Sequence, residues 1–473
     1  MILSIDLGTS KLCAAAVDEK TAKPLAMRLQ ANDSEVKGLA DEFHEQDPIR
    51  TRQICFDLLR QVLSDPQIQG RRVDAIGISG QMHGVLLVDE ELQPRTNLIT
   101  WRDRREALEI QPGSINESLS LLDSGAEHRT GCRLAVGYGA ATLRWLERNQ
   151  QLPKGCIAMT IAGFIAAALC GKAAIDETHA ASWGILDVAN NQWDVRSVDA
   201  LGIDSKLLPV IIPSGTPIGP ITDAAKDLLG ISDGAIICSP VGDCQSSVIG
   251  CAGFLKDTIV INIGTGAQIS VPSAHPVYTD ELDAWPMPMG GYLQLGAALC
   301  GGWAYAYLKQ SFQQIANGLT GIRVSDEEVF DYMNRLAASA EVGADGIVVD
   351  TRFSGSRRDK TPRGAITGIN TSNLNPANLS LAFLEGIVRE LHTMWLSTGR
   401  NDSAQRVIAA GNAVRKNPAL RSVIRRVFDR DCYVSATPEE AARGAAYAAA
   451  VGTGASSAAQ ITTRVQNFAQ IIP

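Results

Sequence analysis

One structural unit occurs twice in this chain, about one domain-length apart, and it constrains the fold more than any other feature. Met1-Ile2-Leu3-Ser4-Ile5-Asp6 reads as an apolar strand, Leu7-Gly8-Thr9-Ser10-Lys11 as a turn, and Leu12 to Asp18 as a second strand. The same order returns where the β-branched run Thr258 to Ile263 stops at Gly264-Thr265-Gly266 and resumes as a strand from Ala267 to Val271. Turn glycines can take positive φ, and without a Cβ they let backbone N–H groups approach a phosphate closely. One such unit is most simply an ordinary hairpin. Two, each with an aspartate nearby (Asp6 and Asp243), predict two related halves that each carry a phosphate-type turn.

Length supports the division. At 473 residues the chain exceeds what one hydrophobic core usually sustains. We therefore expect a first domain over 1–240, a second over 241–453, and a tail over 454–473. An apolar fraction of 45% with 20% charged residues describes a globular protein. The net charge of −8 argues against broad nucleic-acid or anionic-membrane binding. The ten cysteines are scattered without metal-like spacing, as expected of small core residues in a reducing compartment. The start of the chain has no basic segment before Asp6, and the uncharged run Cys156 to Cys170 is too short to span a bilayer. The expected location is cytoplasmic.

Periodicity and turn signals predict helices over 46–64, 139–149, 156–170, 303–315, 327–340, 376–399, 417–429 and 439–451. Strands are expected over 73–79, 85–88, 181–187, 235–238, 292–296 and 406–410. The segment 209–220 is proline- and glycine-rich and is expected to run over the surface, 343–372 reads as irregular, and no strong pattern follows Gly452. This is an α/β chain, in which loops beyond buried strands carry ligand groups. Gly80-Gln81-Met82-His83-Gly84 and Trp101-Arg102-Asp103 are two such loops.

Each candidate residue has a plain reading beside a chemical one. Asp243 is a helix-capping aspartate or a general base for an alcohol, and the two are compatible because a helix dipole keeps a carboxylate ionised. Asp6 is a turn aspartate or a magnesium site reached through water. Thr9, Ser10 and Lys11 form a solvated polar turn or a set of phosphate donors. His83 is a structural loop histidine or a donor to a substrate hydroxyl. Trp101 is a half-buried core residue or a stacking face for a sugar, with Asp103 accepting hydroxyls. Gly411-Asn412 is a simple turn or a contact for adenine or ribose. No G-x-x-x-x-G-K-[ST], G-x-G-x-x-G, H-E-x-x-H or G-x-S-x-G motif occurs, so a P-loop enzyme and a Rossmann dehydrogenase are poorly supported.

Taken in order, these residues resemble the FGGY carbohydrate kinase family, of the actin/Hsp70/hexokinase superfamily. The resemblance is carried by Ile5-Asp6-Leu7-Gly8-Thr9-Ser10-Lys11, Ser79-Gly80-Gln81-Met82-His83-Gly84, Trp101-Arg102-Asp103, Gly242-Asp243-Cys244-Gln245 and Gly264-Thr265-Gly266. Gly386-Ile387 with Leu391-His392, Gly411-Asn412-Ala413 and Ala442-Arg443-Gly444-Ala445-Ala446 extend it nearly to the end of the chain. Within the family, Gly137 to Thr142 with Trp145-Leu146, Ala180-Ala181-Ser182-Trp183-Gly184 and Gly301-Gly302 are most similar to sedoheptulokinases, with xylulokinases second.

The resemblance implies two ribonuclease-H-like domains with a catalytic cleft between them, and an ATP- and Mg2+-dependent kinase that phosphorylates the terminal hydroxyl of a ketose, sedoheptulose before xylulose. Asp243 would be the base, and Gln81, Met82, His83, Trp101, Asp103 and Asp243 would line the sugar pocket. Gly8, Thr9, Ser10, Lys11, Gly264, Thr265, Gly266, Gly296, Gly411, Asn412 and Asn417 would bind nucleotide, and Asp6 and Asp243 the metal. The implied partners are small molecules, with no nucleic acid or membrane, and a homodimer is admitted. The alternative from another class is a non-catalytic sugar and nucleotide sensor, which would have no need of a base at Asp243. Two stretches depart from the family pattern. An aspartate common in its sedoheptulokinases and xylulokinases is absent from Thr160-Ile161-Ala162-Gly163-Phe164, and the usual Gly-Glu-Arg-x-Pro loop is replaced by Gly355-Ser356-Arg357-Arg358-Asp359-Lys360.

Overall fold

In the computed structural model, the repeated hairpins become the centres of two seven-stranded sheets with matching topology. The structure describes residues 1–471 except 232–233, 357–358, 360, 362, 400–404, 436–437 and 467–468. In the first sheet, Ile2–Leu7 pairs antiparallel with Lys11–Val17, which pairs antiparallel with Pro24–Ala31. On its other side Ile2–Leu7 runs parallel to Ala75–Gly80, which runs parallel to both Ile236–Cys238 and Val241–Gly242. In the second sheet, Thr258–Ile263 pairs antiparallel with Ala267–Ser273, which pairs antiparallel with Tyr292–Ala298. Parallel strands Arg406–Ala410 and Asp431–Ser435 follow on the far side. An antiparallel meander flanked by parallel strands, occurring twice, is the ribonuclease-H-like arrangement that the family resemblance implied.

Local chemistry starts the flanking helices. Pro48–Leu63 begins with Pro at its first position, and the Asp47 carboxylate accepts from the Ile49 and Arg50 amides. Asp326–Ser339 opens on a Ser325/Glu328 capping box. Burial then decides which face turns inward. Ile2, Leu3, Ile5 and Leu7 are essentially inaccessible, as expected of a central strand covered on both faces.

The helix Glu440–Gly452 joins the two halves. Although it lies between two strands of the second sheet in sequence, it packs on the first and against the helix Asp243–Ala252. The two helices approach so closely that a Cβ on Gly444 would lie 1.8 Å from the Ser246 carbonyl oxygen, and one on Gly250 would lie 1.9 Å from the Glu440 oxygen. Residues 440–452 therefore complete the first core rather than the second.

Four local expectations are corrected. The run 156–170 is divided into a strand, Ile157–Met159, and a helix, Ile161–Cys170, because the strand pairs with Leu86–Val88 and the Thr160 side chain caps the helix. Residues expected as a strand over 181–187 begin inside the helix Glu177–Ser182, where the capping carboxylate of Asp176 outweighs the β-propensity of the aromatic and branched residues that follow. The stretch 343–372, expected to be irregular, contains the hairpin Val348–Asp350 with Ala365–Thr367. The tail is not patternless, since it forms the helix Ala458–Gln466 and the edge strand Ala469–Ile471. The departure at 355–360 lies partly outside the described residues. Among the described residues, no helix is long and apolar enough to cross a membrane.

Candidate active site

Asp6 and Asp243 meet because their strands flank the same neighbour. Asp6 stands opposite Ser79, and Gly242 opposite Gly80, so both carboxylates lie at the carboxyl ends of parallel strands beside Ala75–Gly80. That edge is where open α/β sheets bind ligands. Asp243 is the first residue of its helix and Gly242 is the cap, so the plain capping role read from the sequence is corrected. The helix N-terminus still favours its negative charge.

The electrostatics are those of two crowded anions. Burial first, and then the Asp243 carboxylate, push Asp6 up to about 7. Burial also raises Asp243, against the opposing influence of His179 and of the Cys244 amide. Asp6 Oδ1 is buried without a hydrogen-bond partner. A buried carboxylate oxygen without a partner, on a group that feels the charge of a second carboxylate, fits a cation. Among the described residues no three His, Cys, Asp or Glu side chains converge, so the protein offers such an ion few direct ligands.

The glycine turns are built as expected, though not every named residue faces them. Gly264, Thr265 and Gly266 are exposed, and the turn closes with the Gly264 amide donating to the Gly266 carbonyl at 2.9 Å. Behind it, Gly301 and Gly302 start a 19-residue helix whose Gly302 and Trp303 amides donate to the Gly264 and Thr265 carbonyls. A Cβ at Gly302 would lie 2.4 Å from the Gly264 oxygen, so only glycine permits this approach. Gly411 adopts φ 95°, and a Cβ there would lie 2.3 Å from the Ile263 oxygen, which brings Gly411-Asn412 to the same corner.

Two expected nucleotide residues are corrected. Gly296 is buried in mid-strand, where a Cβ would meet Leu282 and Met394, so its smallness serves core packing. Asn417 caps the helix Pro418–Phe428 by accepting from the Leu420 amide at 3.0 Å.

In the first turn, Thr9 is already engaged. Its hydroxyl donates to Gln81 Oε1 at 2.9 Å and accepts from the Trp101 indole N–H at 2.8 Å. Gln81 in turn donates to Gln46, which reaches back to the Thr9 carbonyl. Gly8 holds the turn tight, since a Cβ would lie 2.7 Å from the Lys11 carbonyl oxygen, and Ser10 is exposed. The Lys11 ammonium pairs with Glu439 at 2.6 Å.

The sugar-side residues separate into a lining and a brace. His83 adopts φ 71°, stacks on Tyr138 at 4.3 Å and meets the edge of Trp285, which comes from the second half of the chain. Met82 lies beneath Gly242, where a Cβ would approach its sulfur to 2.8 Å. Trp101 is 47% exposed and keeps an open face. Asp103 is corrected. It is fully buried and its oxygens accept from Arg105 and from the His44 amide, so it braces the loop instead of offering itself to a hydroxyl.

Sequence reasoning missed Trp285 and the segment Asp176-Glu177-Thr178-His179. The second held a legible signal, an aspartate three residues before a histidine at a capping position. What the pair faces was not legible.

Comparison with known proteins follows the same division of the chain. Sequence models of the FGGY family of carbohydrate kinases match it in two parts, the N-terminal domain over residues 1–250 and the C-terminal domain over 258–453. It is 28% identical to mouse (Mus musculus) sedoheptulokinase, over 90% of this chain and 92% of that protein. The xylulose kinase of Rhodospirillum rubrum superimposes with a TM-score of 0.88 at 22% identity, over 99% of this chain and 92% of the other. Plasmodium falciparum glycerol kinase with ADP superimposes at 0.83 and 20% identity, over 98% and 92% of the two chains.

Proposed function

The chain belongs to the FGGY family of carbohydrate kinases, and from that premise we propose that it transfers the γ-phosphoryl group of ATP to the terminal hydroxyl of a ketose, with sedoheptulose the preferred acceptor and xylulose the second. The observation that carries the reading is the pairing of Asp6 and Asp243 at one sheet edge, with the glycine turn at 264–266 on the other half of the chain. The 28% identity to a sedoheptulokinase, together with the Ala180 to Gly184 and Gly137 to Thr142 stretches, supports the choice of sugar.

In this reading the acceptor lies between His83, Met82 and the open face of Trp101. Asp243 takes the proton from the attacking hydroxyl as the bond to phosphorus forms. The exposed backbone of the 264–266 turn, held in place by the Gly302 helix, meets phosphate oxygens, and Gly411-Asn412 lies against the nucleoside. Asp6, with its unpaired Oδ1, and Asp243 would hold Mg2+ largely through water. A bound magnesium ion supplies charge neutralisation on the transferred phosphoryl group. Thr9, Gln81 and Asp103 act as braces. Exclusion of water from the cleft prevents hydrolysis of ATP in place of transfer.

ADP release measured with sedoheptulose, xylulose, ribulose and glycerol tests the reading. Sugar-stimulated release is expected to be greatest with sedoheptulose. Stimulation by none of them would leave the sensor alternative. Asp6→Asn is expected to raise the Mg2+ concentration giving half-maximal rate by about tenfold, because it removes one of two anionic partners. An unchanged magnesium titration would remove Asp6 from the metal site.

A further inference from the structure

Behind Asp243 lies a buried ionic pair that the reaction described above does not use. Asp176 and His179 are both fully inaccessible, and His179 Nδ1 lies 2.5 Å from Asp176 Oδ2. The opposite ring nitrogen, Nε2, lies 3.3 Å from the Gly80 carbonyl oxygen. A carbonyl and an ionised carboxylate can only accept, so this geometry calls for a proton on each ring nitrogen, the cationic form. Asp176 is well equipped to be its anion, since Oδ1 accepts from the Thr178 and His179 amides, from the Thr178 hydroxyl and from Ser214 Oγ at 2.9 Å. Burying such a pair is costly unless its geometry is this complete.

The pair is aimed at the site. Gly80, which His179 contacts, stands in register with Gly242, the residue before Asp243. Thr178 makes the second link, because its hydroxyl accepts the Gly242 amide at 2.8 Å while donating to Asp176. The charge of His179 and the Asp243 carboxylate act on one another directly. The Lys11 ammonium that acts on Asp6 is already paired with Glu439.

We propose that His179 is a positioning residue for phosphoryl transfer, a buried fixed cation that offsets the crowding of Asp6, Asp243 and incoming phosphate and, through Gly80 and the neighbouring Thr178, fixes the backbone that carries Asp243. This deepens the kinase reading and rests on Asp243 being the base. The helix Glu177–Ser182 also carries the sugar side, since Ser182 Oγ accepts the His83 amide at 2.9 Å and its carbonyl meets His83 Nδ1 at 2.8 Å. A merely structural disturbance of this helix would therefore displace His83 and raise the sugar KM. Loss of the charge alone would lower kcat and leave KM in place.

Two variants remove the charge differently. His179→Gln deletes the ring, whereas Asp176→Asn keeps the ring but removes the anion that protonates it. In both, kcat is expected to fall about 10- to 100-fold with the sugar KM unchanged. Wild-type turnover in either soluble variant, or a rise in KM that accounts for the loss, would overturn the proposal. Nitrogen-15 NMR of the wild-type His179 ring should show both nitrogens protonated at neutral pH, and a neutral tautomer would overturn it whether or not a variant folds. A wild-type protein inactive with every acceptor, yet showing the charged ring, would instead overturn the kinase reading on which the proposal rests.

Discussion

Asp243→Asn is expected to lower phosphoryl transfer by about 1,000- to 10,000-fold while leaving sugar affinity nearly unchanged. Asparagine keeps the size and the oxygen acceptor of aspartate, so the Met82 and Gly242 packing and the helix start persist. It cannot take a proton from the attacking hydroxyl. It also removes the negative charge that burial and Asp6 make costly, so the variant should fold at least as stably as the parent. Equilibrium sugar binding by calorimetry, set beside single-turnover transfer, separates the two effects. Turnover within about tenfold of the parent would remove Asp243 from the role of base.

The largest expected loss of stability comes from a single methyl group far from the chemistry. Gly444→Ala places a Cβ 1.8 Å from the Ser246 carbonyl oxygen, a backbone atom of the facing helix that cannot rotate away. The helices Asp243–Ala252 and Glu440–Gly452 would have to separate, at a cost of about 3 kcal/mol or more, the upper range for overpacking. Since the first of them begins with Asp243, its displacement would also disturb the base, so activity should fall in whatever fraction folds. Gly318→Ala is the control. It lies within the helix Gly302–Thr320, where a Cβ meets nothing within 4 Å, and relief of glycine's backbone entropy should stabilise by about 0.5–1 kcal/mol. Chemical denaturation of both variants checks the contrast, and equal stabilities would contradict the close helix contact.

Reading the sequence worked where local chemistry acts alone. The strand–turn–strand units, the capped helices and the order of the family motifs follow from residue type and spacing, because hydrogen bonding across a tight turn and the face a strand buries are local matters. It failed where a partner distant in sequence decides the outcome. Residues 181–187 suggested a strand because their composition is β-prone, but Asp176 draws Glu177 to Ser182 into a helix, and Ser214, Gly80 and Gly242 complete that network from elsewhere. Asp103 looked like a free carboxylate until Arg105 and His44 filled both oxygens. Gly296 and Asn417 have the residue types of a nucleotide site but serve packing and capping.

The sequence by itself therefore determined the repeated α/β architecture and the kinase family, and it singled out the two aspartates and glycine turns proposed for transfer. Only the tertiary structure decided which polar residues are free to act. Whether a carboxylate or hydroxyl can meet a ligand depends on whether its hydrogen-bonding capacity is already spent, and the partners that spend it arrive from strands and helices up to hundreds of residues away. For the same reason the buried Asp176–His179 pair became visible only after folding placed these residues and Gly80 together.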